Sequence, residues 1–271
     1  PFAALPVCCS ARLLLCPFAA LPVRCFRCLP FFAMHLSVND LQKSYGDFTL
    51  SIDALDVAPG TAFGLVGNNG AGKTTLLRLV LDLIAPDAGS VMLDGDPVAR
   101  TTAWKSHVGA YLGESFLMDF LTPDEYWRFV GQTHDLAPGV VETRLEPFRD
   151  FYTDEPIGET TKYIRDLSQG NRNKVGLIGA LVPEPNLVVL DEPFASLDPR
   201  SQLRLRDILQ DRRGAATLLL SSHDLGHITD VCERIVLLDD GAIVRDDATT
   251  DTTLADLQAH FAGNAPSATA A

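Results

Sequence analysis

Gly67-Asn68-Asn69-Gly70-Ala71-Gly72-Lys73-Thr74 is the stretch that decides the fold. It fits the pattern G-x-x-x-x-G-K-[ST], in which glycines let successive backbone N–H groups turn inward around phosphate oxygens. Lys73 adds positive charge near the β and γ phosphates, and the Thr74 hydroxyl is placed to ligate Mg²⁺. The flanks agree. Ala62-Phe63-Gly64-Leu65-Val66 reads as a buried strand entering the loop. Thr75 to Leu81 reads as a helix leaving it, with its positive end toward the phosphates.

Further out, Leu36 to Leu41, Phe48 to Ile52 and Leu55 to Val57 alternate like strands, with Tyr45-Gly46-Asp47 as a turn. Pro86 to Gly89 is a turn, and Ser90 to Gly95 a short strand and turn. The middle of the chain is helical. Thr122-Pro123-Asp124-Glu125 combines a cap, a first-position proline and a capping-box acid, predicting a helix to about His134. A second helix is predicted over Val140 to Phe151. A third is predicted from after Ser168 to about Leu181, stopped by Pro183 and Pro185. Leu187 to Leu190 and Thr217 to Ser221 read as buried strands, the first ending in Asp191-Glu192. Side chains alternate at a strand end, so the two acids are expected to serve different sites. Asp191 is placed to hold Mg²⁺ through water, and Glu192 to polarise an attacking water.

The chain has 271 residues, enough for one large α/β domain or a core with a small subdomain. Its formal charge of −13 argues against a nucleic-acid-binding surface, though not against a local basic strip. No run of 18 or more apolar residues free of proline and charge occurs, so no membrane span is expected.

Residues 1–33 differ from the rest. They hold five of the six cysteines, five prolines and three arginines, with no acid and no lysine. Pro1 to Cys9 recurs as Pro17 to Cys25 with one mismatch. The first methionine is Met34, and a strand-like pattern follows it directly. The expectation is a translated upstream extension, disordered, ahead of a start at Met34. Three other readings compete. A signal peptide has too short an apolar core here. A zinc site at Cys25-x-x-Cys28 lacks a second pair. A disulfide framework fits poorly ahead of a nucleotide-binding core. Without the three arginines of this segment the net charge becomes −16. Cys232, in an apolar run, reads as core rather than reactive. The tail 263–271 reads as disordered.

Leu167-Ser168-Gln169-Gly170-Asn171 stands at a predicted helix start, and Ser168 precedes Asp191 by 23 residues. Here the sequence resembles the ATP-binding subunits of ABC transporters, whose signature is usually Leu-Ser-Gly-Gly-Gln. Leu167, Ser168 and Gly170 match, while Gln169 and Asn171 depart. The resemblance covers about residues 35 to 245. It implies an α/β fold: a P-loop NTPase core of ABC type, an N-terminal antiparallel β subdomain, and an inserted α-helical subdomain of about 115–166. The ATPase domain would be residues 34–262.

The same resemblance implies the site. ATP would be bound by Tyr45, Gly67, Asn68, Asn69, Gly70, Ala71, Gly72, Lys73, Thr74, Thr75, Glu114, Ser168, Gly170 and Asp198. Tyr45 matches the aromatic that stacks on adenine. Glu114 stands where a metal-contacting glutamine is usual. Ser196-Leu197-Asp198 matches a loop that reaches across a dimer, and His223 matches a histidine near the γ-phosphate. Mg²⁺ would be held by Thr74, Glu114 and Asp191, and catalysis would use Glu192, His223 and Lys73. Ser168 and its helix start form a second anion site, which the resemblance assigns to ATP held by another copy.

It implies further that the chain hydrolyses ATP at a site completed by dimerisation with itself or a paralogous subunit. The dimer would sit on the inner face of the cell membrane, driving a separate integral membrane permease. Tyr111-Leu112-x-Glu114 and the short length look most like the exporter class. Phe116, Leu117, Met118 and Phe120 would contact that permease or pack the helical subdomain. The alternative is a soluble ATPase of the same superfamily, in cluster assembly, scaffolding or repair. Only 92 residues separate Thr74 from Leu167, with no heptad run, which fits poorly with a repair role.

Overall fold

The computed structural model of the protein describes residues 33–137, 139–250 and 252–261. The expectations for residues 1–33 and 263–271 therefore lie outside the described residues, apart from Ala33.

Two sheets organise the chain. The first is antiparallel, with spatial order β2-β1-β4-β5. It comprises β1 (Leu36–Tyr45), β2 (Phe48–Val57), β4 (Ala88–Leu93) and the two-residue β5 (Asp96–Pro97). β1 and β2 pair in register from Leu36↔Val57 to Tyr45↔Phe48, so Gly46-Asp47 is a two-residue hairpin turn. The sequence reading breaks β2 in two after Ile52; the strand is continuous, because pairing with β1 holds Asp53 and Ala54 extended.

The second sheet has order β10-β9-β3-β8-β7-β6. β3 (Ala62–Val66), β6 (Val108–Tyr111), β7 (Leu187–Asp191), β8 (Thr217–Ser222) and β9 (Arg234–Asp239) run parallel. β10 (Ala242–Ala248) closes the edge antiparallel to β9. The sequence reading does not place β6, β9 or β10.

Alternation along these strands feeds two cores. Val188 and Leu190 of β7, with Leu218 and Leu220 of β8, face one core. Leu187 and Val189, with Leu219, face the other. Burial on both faces explains why the strands read as unbroken apolar runs. One core holds the antiparallel sheet and α1 (Lys73–Val80). The other holds the inserted helices, α4 (Gln169–Leu181), α5 (Pro199–Gln210) and α6 (Leu225–Val231). Cys232 lies in this second core, and burial pushes its thiol pKa up, away from reactivity. Another helix, α7 (Thr253–Phe261), follows β10.

Between β6 and α4 lie α2 (Pro123–Thr133) and α3 (Val140–Leu145). α2 starts with the full capping box: Glu125 N–H donates to Thr122 Oγ1, and Thr122 N–H donates to the Glu125 carboxylate. The second helix is shorter than the sequence suggests. Its α-helical part stops at Leu145 and a 3₁₀ turn takes over at Glu146–Phe148, around Pro147, which lacks the N–H an α-helix needs. The insert is anchored by Trp127, fully buried, whose Nε1 donates to Val175 O of α4 (3.0 Å) and whose ring meets Tyr152 edge-on at 5.4 Å. α4 in turn lies directly on β6. A Cβ at Gly109 would come within 1.9 Å of Ala180 O, so only glycine admits this approach.

Candidate functional site

The cleft at the C-terminal end of β3 is lined by Phe48, Asn68, Asn69, Gly70, Gly72, Lys73, Thr74, Thr75, Asp191 and Glu192, and encloses about 270 Å³. Gly72 caps α1 with φ 107°, a backbone state open to glycine, and no side chain caps the helix. With no acid in its first turn, α1 presents its free N–H groups to the cleft. Lys73 folds back over the loop: its Nζ donates to Gly67 O (2.6 Å) and Asn68 O (3.2 Å), with only 6 % of the residue exposed. Gly241 N–H donates to Ala71 O from behind (3.1 Å), fixing the loop against the β9–β10 turn.

Thr74 and Asp191 meet, as the chemistry requires. Thr74 Oγ1 donates to Asp191 Oδ2 at 2.6 Å, and Ser221 Oγ donates to the other carboxylate oxygen. Glu192 leaves the strand in the left-handed conformation, φ 50°, a strained state worth about 1–2 kcal/mol. Its N–H is held by Ser221 O (3.2 Å) and Ser221 Oγ (3.0 Å). This backbone turn corrects the alternation argument. Asp191 and Glu192 take different partners, yet both line the same cleft. Glu192 Oε2 accepts from His223 Nδ1 (2.9 Å) and His223 N–H (3.2 Å), while Oε1 lies 3.7 Å from Lys73 Nζ.

A second cleft of about 350 Å³ shares Asp191 and Glu192 with the first. It is also lined by Tyr111, Gly113, Glu114, Gln169, Asn173 and Ser196. Glu114 belongs here, not to the phosphate-loop cleft, and its carboxylate is paired with Arg172 Nε at 2.7 Å. Ser168 and Gly170 sit at the start of α4; Ser168 Oγ accepts from Asn171 N–H (3.3 Å), capping the helix. Asp198 caps α5, accepting from Ser201 N–H (3.0 Å) and Ser201 Oγ (2.5 Å), with Lys174 at 3.4 Å. The Ser201 hydroxyl and N–H, helped by Lys174, hold its carboxyl pKa down at about 2. Tyr45 is half-exposed at the end of β1, with Lys43 Nζ 5.6 Å from its ring centre, and lies outside the lining of either cleft. The aromatic that lines the first cleft is Phe48, three residues on, which the sequence reading misses. The Gly46-Asp47 turn sets Phe48 opposite Tyr45, but which of the two reaches the cleft depends on how the hairpin packs on the phosphate loop. Ser221 and Arg172 are missed because their partners are distant in sequence.

The residues fit magnesium and a nucleotide triphosphate. Thr74 and Asp191 are hard oxygen donors, and Mg²⁺ is typically held by one or two protein oxygens with the rest from phosphate and water. No group of three or more His, Cys, Asp or Glu that could hold a metal occurs among the described residues.

The description "ABC transporter" fits residues 50–195 as a family model. An uncharacterized ABC transporter ATP-binding protein of Nostoc sp. is 35% identical over 70% of this chain and 57% of its own length. The aliphatic sulfonates import ATP-binding protein SsuB of Cupriavidus necator is 34% identical over 78% of this chain and 68% of its own. The Nod factor export ATP-binding protein I of Cupriavidus metallidurans is 33% identical over 76% and 68%. The chain thus spans little more than half to two thirds of these relatives. Among solved structures, an ATP-binding subunit of an ABC transporter superposes with a TM-score of 0.72 at 26% identity, covering 84% of this chain and 93% of that one. The chain belongs to the ABC transporter family, among its ATP-binding subunits.

Proposed function

We propose that this chain hydrolyses ATP to drive a membrane transporter, with Mg²⁺ bound beside the triphosphate. The observation that carries the reading is the meeting of two separate segments in one cleft, the Lys73–Thr74 loop and Asp191–Glu192 at the end of β7, with His223 after β8 paired to Glu192. The loop N–H groups and Lys73 would hold the phosphates. Thr74 and Asp191 would hold the ion, which supplies charge neutralisation of the phosphoryl group. Glu192 would accept the proton of the attacking water. Its Oε2, which accepts from His223 N–H and pairs with His223 Nδ1, fixes the carboxylate.

The partner is an integral membrane permease subunit, and the place is the inner face of the cell membrane. Among the described residues no helix is long and apolar enough to cross a membrane. An apolar groove of about 260 Å³, lined by Leu81, Leu83, Trp104, Val108, Leu112 and Phe116, supports a docking surface. The run left open between docking and packing is divided: Phe116 and Phe120 are exposed, whereas Leu117 packs on the core. Relatives named for import and for export both occur; the Tyr111-Leu112-x-Glu114 form is the ground for assigning export.

Gln169, between Ser168 and Gly170, lines the second cleft, which supports a head-to-tail dimer in which Ser168 and Gly170 of one copy face the phosphate loop of another. Cysteines introduced as Ser168→Cys and Gly70→Cys test it. With ATP present they should cross-link between copies. A link found only within one chain would sink the dimer, and absence of ATP hydrolysis by the purified chain with its permease would sink the function.

A further inference from the structure

Glu114 is a carboxylate in a cleft already lined by two others, Asp191 and Glu192, with no lysine or arginine in that lining. Like charges so grouped repel one another, and a nearby cation relieves the repulsion. The compensating cation is Arg172, in the first turn of α4, two side chains of which only 28 % and 29 % are exposed forming the pair. Arg172 is doubly engaged. Its Nε donates to Glu114 Oε2 (2.7 Å), and its Nη1 donates to Leu167 O (2.7 Å), the carbonyl just before Ser168. The next residue repeats the arrangement. Asn173 accepts from the Tyr111 hydroxyl (2.6 Å) and donates to Ala195 O (2.9 Å), on the loop after Glu192. Two successive residues of α4 therefore tie the end of β6, the Glu114 turn, the Ser168 turn and the Glu192 loop together. The Glu114 turn also carries Phe116 into the apolar groove.

We propose that Arg172 is the positioning residue of Glu114: it neutralises a carboxylate that stands beside the nucleotide cleft, in a second cleft sharing Asp191 and Glu192 with the first, and its hold on Leu167 links that pair to the Ser168 turn. The proposal rests on the ATP-binding reading above. Losing Arg172 leaves Glu114 free and negative. The uncompensated carboxylate then repels nucleotide without magnesium more than the less negative magnesium complex. The ratio of the two affinities must rise.

The test uses the full chain and a fluorescent, non-hydrolysable ATP analogue, titrated with and without Mg²⁺. The quantity read is the ratio of the two affinities, which is internal to each variant, so a general loss of binding cancels. Arg172→Ala and Arg172→Gln should both raise the ratio by about fivefold or more, the usual range for coupled sites. Arg172→Gln removes the charge while leaving a polar side chain in the first turn of α4. In a Glu114→Gln background, Arg172→Ala should change the ratio less than twofold, because the partner of the interaction is already gone. An unchanged ratio in the Glu114 protein, or an equal change in both backgrounds, overturns the proposal. Failure of the parent chain to bind the analogue under either condition overturns the ATP-binding reading itself.

Discussion

The two helix starts that face the clefts differ in how they treat their free N–H groups. At α1 the cap is Gly72, no side chain intervenes, and the donors are left to the cleft. At α4 the Ser168 hydroxyl accepts from Asn171 N–H, so the helix is capped from within. The first start also has its chemistry beside it: Lys73, Thr74, Asp191 and Glu192 line one cavity. The second has Gln169 and Ser196 nearby, and its arginine is spent on Glu114 and Leu167. A helix N-terminus becomes a complete anion site only where the chain leaves it uncapped and surrounds it with charge.

The largest expected effect falls on the complete end. Glu192→Gln keeps shape and removes the proton acceptor, so turnover should fall on the order of 10²–10⁴-fold. Nucleotide binding should persist, and an ATP-bound dimer should accumulate in size-exclusion chromatography. Near-normal turnover would take Glu192 out of the chemistry and erase the contrast between the ends.

Next is the anchor that holds the second end in place. Trp127→Ala removes a fully buried ring and the donor to Val175 O. A loss of about 3–5 kcal/mol in urea unfolding is expected for such a truncation. A loss under 1 kcal/mol would mean that the insert does not set the position of α4.

Lys73→Ala should weaken ATP affinity by about 1.5–3 kcal/mol, the worth of a hydrogen bond to a charged group. Equilibrium binding of a labelled nucleotide reads it directly. Ser168→Ala should instead cost stability by about 1 kcal/mol, the usual value of a serine cap, and leave affinity in the isolated chain unchanged. If Ser168→Ala weakened binding in a dilute monomer as much as Lys73→Ala does, both helix starts would serve one nucleotide.

The smallest effect is pH-dependent. Asp198 has a depressed pKa of about 2, so its contribution is full above the ordinary value of 3.8 and is lost as pH falls toward 2. Asp198→Asn should flatten acid unfolding in that window while leaving stability near pH 7 slightly lower. An unchanged acid limb would show that the Ser201 hydrogen bonds do not distinguish folded from unfolded chain.

Much of the first end was legible in local patterns, and much of the second was not. The loop motif, the apolar run before it and the helix after it are one contiguous stretch. The capping box at Thr122–Glu125 was equally readable, because its two hydrogen bonds join residues three apart. The β9–β10 hairpin had a signal, Asp240-Gly241 between two apolar-patterned runs, that the sequence reading does not use. The resemblance marks Glu114 as a metal contact, but its partner Arg172 lies 58 residues away. No periodicity reports such a pair.

The phosphate loop, the buried strands β3, β7 and β8, and the two acids at the end of β7 are readable from the sequence alone, because each follows from spacing along a few residues. The tertiary structure decided the rest. It turned Glu192 into the same cleft as Asp191 through a left-handed backbone held by Ser221. It chose Phe48 over Tyr45 as the aromatic wall of that cleft. It gave Glu114 to Arg172. Each of these depends on which strand lies beside which and on how closely α4 sits on β6, and those distances are set by packing between segments far apart in the chain.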